Sequence, residues 1–250
     1  FLVDLTGKEE PKLITPNAPS YLHGYSPDGK TLAYCANRNG DYDVYTISVE
    51  GGEEVQLTKS PGLDDGPEYG ADGKIYFTSV RDGLMNCYRM DANGENVTRL
   101  TDNGLNCWFP HIAPDMSVIA YIAYDPAEVA ADDHPANKNV TLRLCDPDGG
   151  NDREAVKLFG GQGTINVNSW SPDSRKFAYV SYRLEEEITA PKREMAVQLY
   201  SARQLIGTPE LFAKNHKYVL GRLSQMGYTG AEAASYDNGR FSGLEPEQFK

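Results

Sequence analysis

A six-residue turn recurs along this chain, and its spacing leaves few folds open. Tyr25-Ser26-Pro27-Asp28-Gly29-Lys30 returns as Tyr69-Gly70-Ala71-Asp72-Gly73-Lys74, as Ile112-Ala113-Pro114-Asp115-Met116-Ser117 and as Trp170-Ser171-Pro172-Asp173-Ser174-Arg175. Each copy opens on a bulky apolar residue that ends a strand. Proline then pre-sets a turn torsion, Asp bonds its own backbone two residues on, and Gly accepts positive φ. An alternating apolar strand follows each time: Thr31–Tyr34, Ile75–Phe77, Val118–Tyr121 and Lys176–Tyr179. Asp28 and Asp72 lie 44 residues apart, and Asp72 and Asp115 lie 43 apart. Thr15, Thr58 and Thr101 close the outer strands at intervals of 43, a second ruler that agrees with the first. A period in the forties with four strands per unit predicts an all-β propeller of four-stranded antiparallel blades.

Residues 1–15 read as the outer half of a blade, with strands at Phe1–Leu5 and Pro11–Thr15. Blades follow over about 20–58, 63–101 and 107–159, and residues 164–184 supply two inner strands, so about four blades' worth is present. The third blade is stretched by an insertion at Asp125–Asn139, and insertions in propellers gather on one face, commonly the binding face. Glu185–Pro191 is a charged, proline-ended linker that separates 1–184 from 192–250. Beyond it the pattern changes to strand, helix, strand. Met195–Tyr200 is followed by a helix opening at Thr208-Pro209-Glu210, and Thr229–Ala234 is the second strand.

The formal net charge is −12, and residues 185–250 carry 9 acidic against 8 basic side chains, so the acidity belongs to the repeats. Without a basic stripe to neutralise phosphate, nucleic acid is excluded as a partner. No apolar run approaches the ~20 residues that span a bilayer, which excludes membrane insertion by a helix. Phe1 follows no recognisable leader, so processing or truncation is expected to have set the start. Cys35, Cys87, Cys107 and Cys145 form no CxxC pair, which argues against zinc and thioredoxin-type redox chemistry. Free buried thiols favour a cytoplasmic over a periplasmic location.

The repeated (Y/W)-S-P-D-(G/S)-(K/R) turn with its A-Y strand, together with Phe159-Gly160-Gly161-Gln162-Gly163-Thr164 leading to Trp170, resembles the bacterial TolB-like propeller family across 1–184. The resemblance implies about six blades, hence further blades before Phe1. Val197–Ser201 and Met226–Glu232 resemble the opening of the sugar phosphate isomerase/epimerase family, the xylose-isomerase-like (β/α) barrels. That resemblance covers only about 192–250 and implies a truncated barrel, with Glu232 the one position facing a pocket.

In a propeller the residues ahead of each repeated turn line the channel and its mouth. Here they are Tyr21 and His23; Asp64, Asp65 and Glu68; Trp108 and His111; Asn166 and Asn168. Acids, imidazoles, amides and aromatics converging on one axis suit a polar ligand, a cation or a peptide, and aromatic faces beside amides and carboxylates suit a sugar as well, though the same groups also serve as hydrogen-bonded caps between blades. His134 joins them from the insertion. Some TolB-like propellers are oligogalacturonate lyases with a histidine-rich metal site, but neither HxH nor HxxxH spacing links His23, His111 and His134, so no cofactor is assigned. Asp41-Tyr42-Asp43 and Asp91–Glu95 resemble calcium loops yet miss their spacing, and read as hairpin turns. Arg38, Arg81 and Arg183 recur at one place in the repeat, which marks a structural role. No GxSxG is present, so serine hydrolysis is unsupported. The leading expectation is a non-enzymatic module that binds a polar small molecule, an oligosaccharide or a protein at its channel mouth. Two alternatives are an accessory part of a metal-dependent sugar isomerase or epimerase, and a metal-dependent lyase within the propeller.

Overall fold

The computed structural model describes residues 1–8, 10–183, 196–198, 209–225, 230–232, 236–237 and 240–241. Residues 1–183 form one compact unit and 184–250 another.

The first unit contains three complete four-stranded antiparallel sheets, each with its strands in chain order. The first blade is β1 (Ser20–Tyr25), β2 (Thr31–Asn37), β3 (Tyr42–Ser48) and β4 (Val55–Gln56). The second is β5 (Asp64–Tyr69), β6 (Ile75–Ser79), β7 (Asn86–Met90) and β8 (Thr98–Arg99). The third is β9 (Asn106–Ile112), β10 (Ile119–Tyr124), β11 (Ala136–Cys145) and β12 (Arg153–Gly161). At either end stands half a blade, reduced to single bridges: Leu2 to Lys12, and Trp170 to Phe177. Full strand pairs expected at 1–15 and 164–184 are therefore not formed. The insertion is shorter than its sequence limits, because Ala136–Asn139 continue β11 and pair with Phe159–Gly161 of β12.

The repeated turn works as its composition demands. In the first copy the Ser26 hydroxyl donates to Asp28 Oδ1 (2.6 Å) and accepts from the Thr31 amide (3.0 Å), while Asp28 Oδ1 accepts from the Lys30 amide. Ser171 and Asp173 repeat these bonds with Lys176 and Arg175. The residue after Asp sits at positive φ in every copy, whether it is Gly29, Gly73, Met116 or Ser174. The 43-residue threonine ruler has an equally local cause. Thr58 accepts from the Val44 amide and donates to Asp43; Thr101 accepts from the Cys87 amide and donates to Asn86. Each fastens the short outer strand to its neighbour through a buried hydroxyl.

Apolar packing is distributed between consecutive blades. Ile14, with Leu2 beside it, packs on Leu32, Tyr34 and Ile47 of the first blade. Val44 meets Ile75, Phe77 and Met90 of the second. Tyr76 and Cys87 meet Cys107, Ile119, Tyr121 and Cys145 of the third. Trp108, Ile122 and Leu142 meet Val129 of the insertion and Ile165 of the final half. The outer turns ride over the preceding blade at one repeated place: Gly51 over Ile14, Gly94 over Leu57 and Gly149 over Leu100, each 43 residues apart along the supporting strands. Ile14 thus occupies the place of Leu57 and Leu100, which identifies residues 1–15 as the outer half of a blade.

In the second unit β13 (Ala196–Gln198) pairs in parallel with β14 (Gly230–Glu232), and α1 (Pro209–Gln225) lies between them in sequence. Val219 and Leu223, one turn apart, are buried. Then β15 (Tyr236–Asp237) and β16 (Arg240–Phe241) pair antiparallel, where a (β/α) barrel would continue with a helix. A barrel fragment is accordingly not shown by the described residues. Thr208 and Gly227, expected to start and stop the helix, and the linker lie outside them.

Candidate functional site

All three inner strands carry a bulge at one repeat position. Register is lost at Leu22/Gly24 in β1 and at Asp65/Glu68 in β5, and β9 bulges opposite the Ala120/Ile122 step. A bulge leaves extra residues unpaired and re-aims the side chains on either side of it. The residues at its centre are His23, Gly66 and Phe109, spaced by 43. Gly66 and Phe109 both take positive φ, +61° and +55°. Gly66 is required there for a second reason: a Cβ on it would stand 3.1 Å from the Phe109 ring.

These bulges open a cleft of about 930 Å³ at the start of the inner strands. Tyr21 and His23 of β1, Asp65 of β5 and Phe109 of β9 reach it from three blades; Asp41 comes from the β2–β3 turn and Tyr42 from the start of β3, and Asp132 and His134 from the insertion. The Tyr21 and Tyr42 rings stand 6.1 Å apart and form an aromatic wall. His23 Nε2 lies 3.4 Å from Asp65 Oδ1, an oxygen that also accepts from the Gly66 amide at 2.7 Å. Burial pushes the Asp65 carboxyl up, but the hydrogen bond and charge of His23, helped by the Gly66 amide, more than offset it and leave Asp65 below the usual carboxylate range. Burial, reinforced by Asp65, drives the Cys35 thiol far above its ordinary range, so Cys35 is a protonated wall group and not a nucleophile. The His134 ring stands edge-on to Trp108 and Phe109, at 4.4 and 5.2 Å. Its Nδ1 is buried and has no hydrogen-bond partner among the described residues.

A second polar group runs between blades away from the cleft lining. His111 Nδ1 is 2.6 Å from Glu68 Oε2, and its Nε2 meets the Ile165 carbonyl. The other oxygen of Glu68 accepts from Asn168, and Trp170 Nε1 donates to the His111 carbonyl at 3.0 Å. Glu68, His111 and Asn168 thus join the second blade, the third blade and the final half in one chain that runs from buried His111 to exposed Asn168, a structural use of polar groups.

Residues 15–133 match the family described as the TolB beta propeller domain. Over those residues the repeats are TolB-like. The chain is similar to the uncharacterized protein Atu1656 of Agrobacterium fabrum, 45% identical over 183 residues, which is 73% of this chain and 61% of that one. It is 27% identical over 156 residues to a TolB homolog of Chlorobium luteolum, covering 62% of this chain and 32% of that protein. A solved TolB candidate from Agrobacterium tumefaciens superposes with a TM-score of 0.67 at 43% identity, over 72% of this chain and 64% of that one. The chain therefore spans less than two thirds of the length of each.

Of the residues singled out in the sequence, this TolB-like propeller brings His23, Asp65, His134 and Asn166 to the cleft, with Tyr21 beside them. Asp64 and Trp108, like Glu68, His111 and Asn168, are placed elsewhere. Asp64 is 1% exposed and is held by both Arg81 (3.2 Å to each oxygen) and Ser60 (2.7 Å). Trp108 is fully buried in the core, because it precedes the bulge and alternation turns it inward. Glu232 ends β14 in the other unit, and its side chain lies outside the described residues. Arg38 clamps Glu54 through two bonds of 2.7 and 2.9 Å, as Arg81 clamps Asp64, in keeping with a structural arginine position. Among the described residues no three of His, Cys, Asp and Glu converge as a metal site, and His23, His111 and His134 do not meet. No helix among the described residues is long and apolar enough to cross a membrane. Asp41, Tyr42 and Asp132 were missed as lining residues. Their signal was available in the hairpin Asp41-Tyr42-Asp43 and in the insertion, both of which fall on the loop side of the repeat.

Proposed function

We propose that the propeller is a binding module that takes a polar ligand, a peptide or saccharide segment, in the cleft at the bulged ends of its inner strands. The single observation that carries this is the cleft itself: about 930 Å³ of space walled by loops of successive blades. Ligand sites combine enclosing apolar and aromatic walls with a few convergent polar groups, and volumes of ~300–1,000 Å³ are usual. Here the Tyr21–Tyr42 wall and Phe109 supply the former; His23, Asp65, Asn166 and His134 supply the latter. The lining offers recognition chemistry, with imidazole, carboxylate and amide groups beside aromatic faces. Peptide and glycan arrays probed with the 250-residue chain test the reading. A captured ligand should lose affinity by ~10-fold or more with Tyr42→Ala or Asn166→Ala, as loss of a central contact does at other interfaces. Undiminished binding by both variants would place recognition elsewhere.

A further inference from the structure

We infer that the cleft selects a cationic group, an ammonium or guanidinium carried on an extended polar ligand. This rests on the reading of the cleft as a binding site given above, and it adds the charge of what enters.

Three carboxylates reach the cleft from three separate elements: Asp41 from the β2–β3 turn, Asp65 from β5 and Asp132 from the insertion. Among the described residues no lysine or arginine lines it. The guanidinium groups of the same blades are already committed, Arg38 to Glu54 and Arg81 to Asp64. Asp41 and Asp132 make no ion pair among the described residues, and Asp65 has only His23. Buried Asp43 sits close enough to feel both Asp41 and Asp64, which deepens the negative potential from behind. Like charges gathered in a concave wall repel one another, and the low-dielectric walls focus their field into the opening. An entering cation relieves that repulsion, whereas an entering anion adds to it.

The remaining features fit an organic cation better than a bare ion. The acidic groups do not converge as a metal-binding cluster, so the positive charge must be spread over a longer group. The Tyr21 and Tyr42 rings stand on the cleft wall, and Tyr21 is 54% exposed. Aromatic faces attract ammonium and guanidinium groups. Independently of the acids, Asn166 and His134 line the cleft and offer polar contacts to the rest of an extended ligand.

Calorimetry on the 250-residue chain tests the inference. The probes are spermidine, agmatine, the capped peptide Gly-Arg-Gly-Lys-Gly, the same peptide with Gln at both basic positions or with Glu at both, and maltotriose. At least one cationic probe should bind, with an affinity that falls as salt rises. The Gln peptide should bind at least ~10-fold more weakly than the basic peptide if the peptide is the source, since two charge contacts are removed. Asp41 and Asp132 are both exposed. The Asp41→Asn/Asp132→Asn pair should therefore fold normally and lose ~10-fold in cation affinity. The pair Glu10→Gln/Glu53→Gln makes the same charge change at exposed positions outside the lining and should lose little. Tighter binding of the amines identifies a small-molecule source, and tighter binding of the basic peptide a protein segment; either supports the charge assignment. If the Gln or Glu peptide or maltotriose binds as well as the cations, the charge selectivity is wrong while the cleft reading stands. If the two double variants lose equally, attraction to overall acidity explains the binding and the assignment falls. If none of the probes binds, the inference falls, and the array experiment then decides the cleft reading by itself.

Discussion

Replacing the glycine at the tip of each outer turn by alanine measures the seam between blades directly. Gly51, Gly94 and Gly149 occupy one repeat position with nearly the same backbone, φ +80°, +85° and +88°. A side chain in that region costs about 1 kcal/mol, and the cost is common to all three. What differs is the neighbour. A Cβ at Gly51 would stand 4.0 Å from the Ile14 carbonyl oxygen, ordinary contact; at Gly94 it would stand 2.8 Å from that of Leu57; at Gly149 it would fall closer still to that of Leu100. Backbone cannot swing aside as a side chain can, so the last two carry an overpacking cost of about 1–3 kcal/mol in addition. Gly51→Ala should therefore cost about 1 kcal/mol and Gly149→Ala about 2–4, with Gly94→Ala between them. Urea unfolding followed by tryptophan fluorescence is a suitable assay, because Trp108 is fully buried beside the third blade's seam. With m near 2–3 kcal/mol/M, Gly149→Ala should lower the midpoint by about 1 M and Gly51→Ala by under half that. Equal losses at all three sites, or the largest at Gly51, would refute the claim that the outer turn of one blade bears on the backbone of the one before it.

Other expectations follow from the polar clamps. The Arg38 guanidinium holds the Glu54 carboxyl down to about 2. Because the folded value lies below the unfolded one, this stabilisation is complete above about pH 4.3 and is lost as pH falls towards 2, up to about 3 kcal/mol in all. The stability gap between the wild type and Glu54→Gln should shrink over that window in urea titrations at stepped pH; a constant gap would contradict it. His111→Ala strands the partly buried Glu68 and frees the Ile165 carbonyl, so a loss of about 2 kcal/mol is expected. The amide of Val180, bonded to Thr164, should then exchange faster, whereas amides in β2 and β3 should not change. Unchanged exchange at Val180 would show that the chain does not fasten the final half.

Much of the fold was legible because turn chemistry is local. Ser26, Asp28 and Gly29 close a turn with their own side chains and torsions, so their recurrence revealed the blades before any long-range contact was known. The threonine ruler succeeded for the same reason, as Thr58 and Thr101 bond within their own blade. The site was harder to read, since period gives a residue's place along the blade but not the side it faces. Trp108 and Phe109 are adjacent; one lies in the core and the other reaches the cleft, because a bulge at Phe109 breaks the alternation. Nothing in an aromatic residue announces positive φ. Asp64 and Asp65 are separated similarly, the first taken by Arg81 and the second left to the cleft. The alternation of a strand placed them on opposite sides, but only the partner at position 81 decided which was occupied. Strands at the two ends were overread because a half-blade lacks the neighbours that complete its pairing.

The distribution of apolar packing has a consequence for how such a chain comes apart. Ile14, Val44, Tyr76 and Trp108 each belong to a different cluster; the first three clusters are each shared by two successive repeats, and the last runs from Met85 of the second blade through the third to Ile165 of the final half. No hub holds all of them at once. Cohesion then passes from neighbour to neighbour as along a row of dominoes, and loss of one seam leaves the next with a single flank. Melting should start at the extremities and travel inward, with the middle repeat, supported on both flanks, the last to let go.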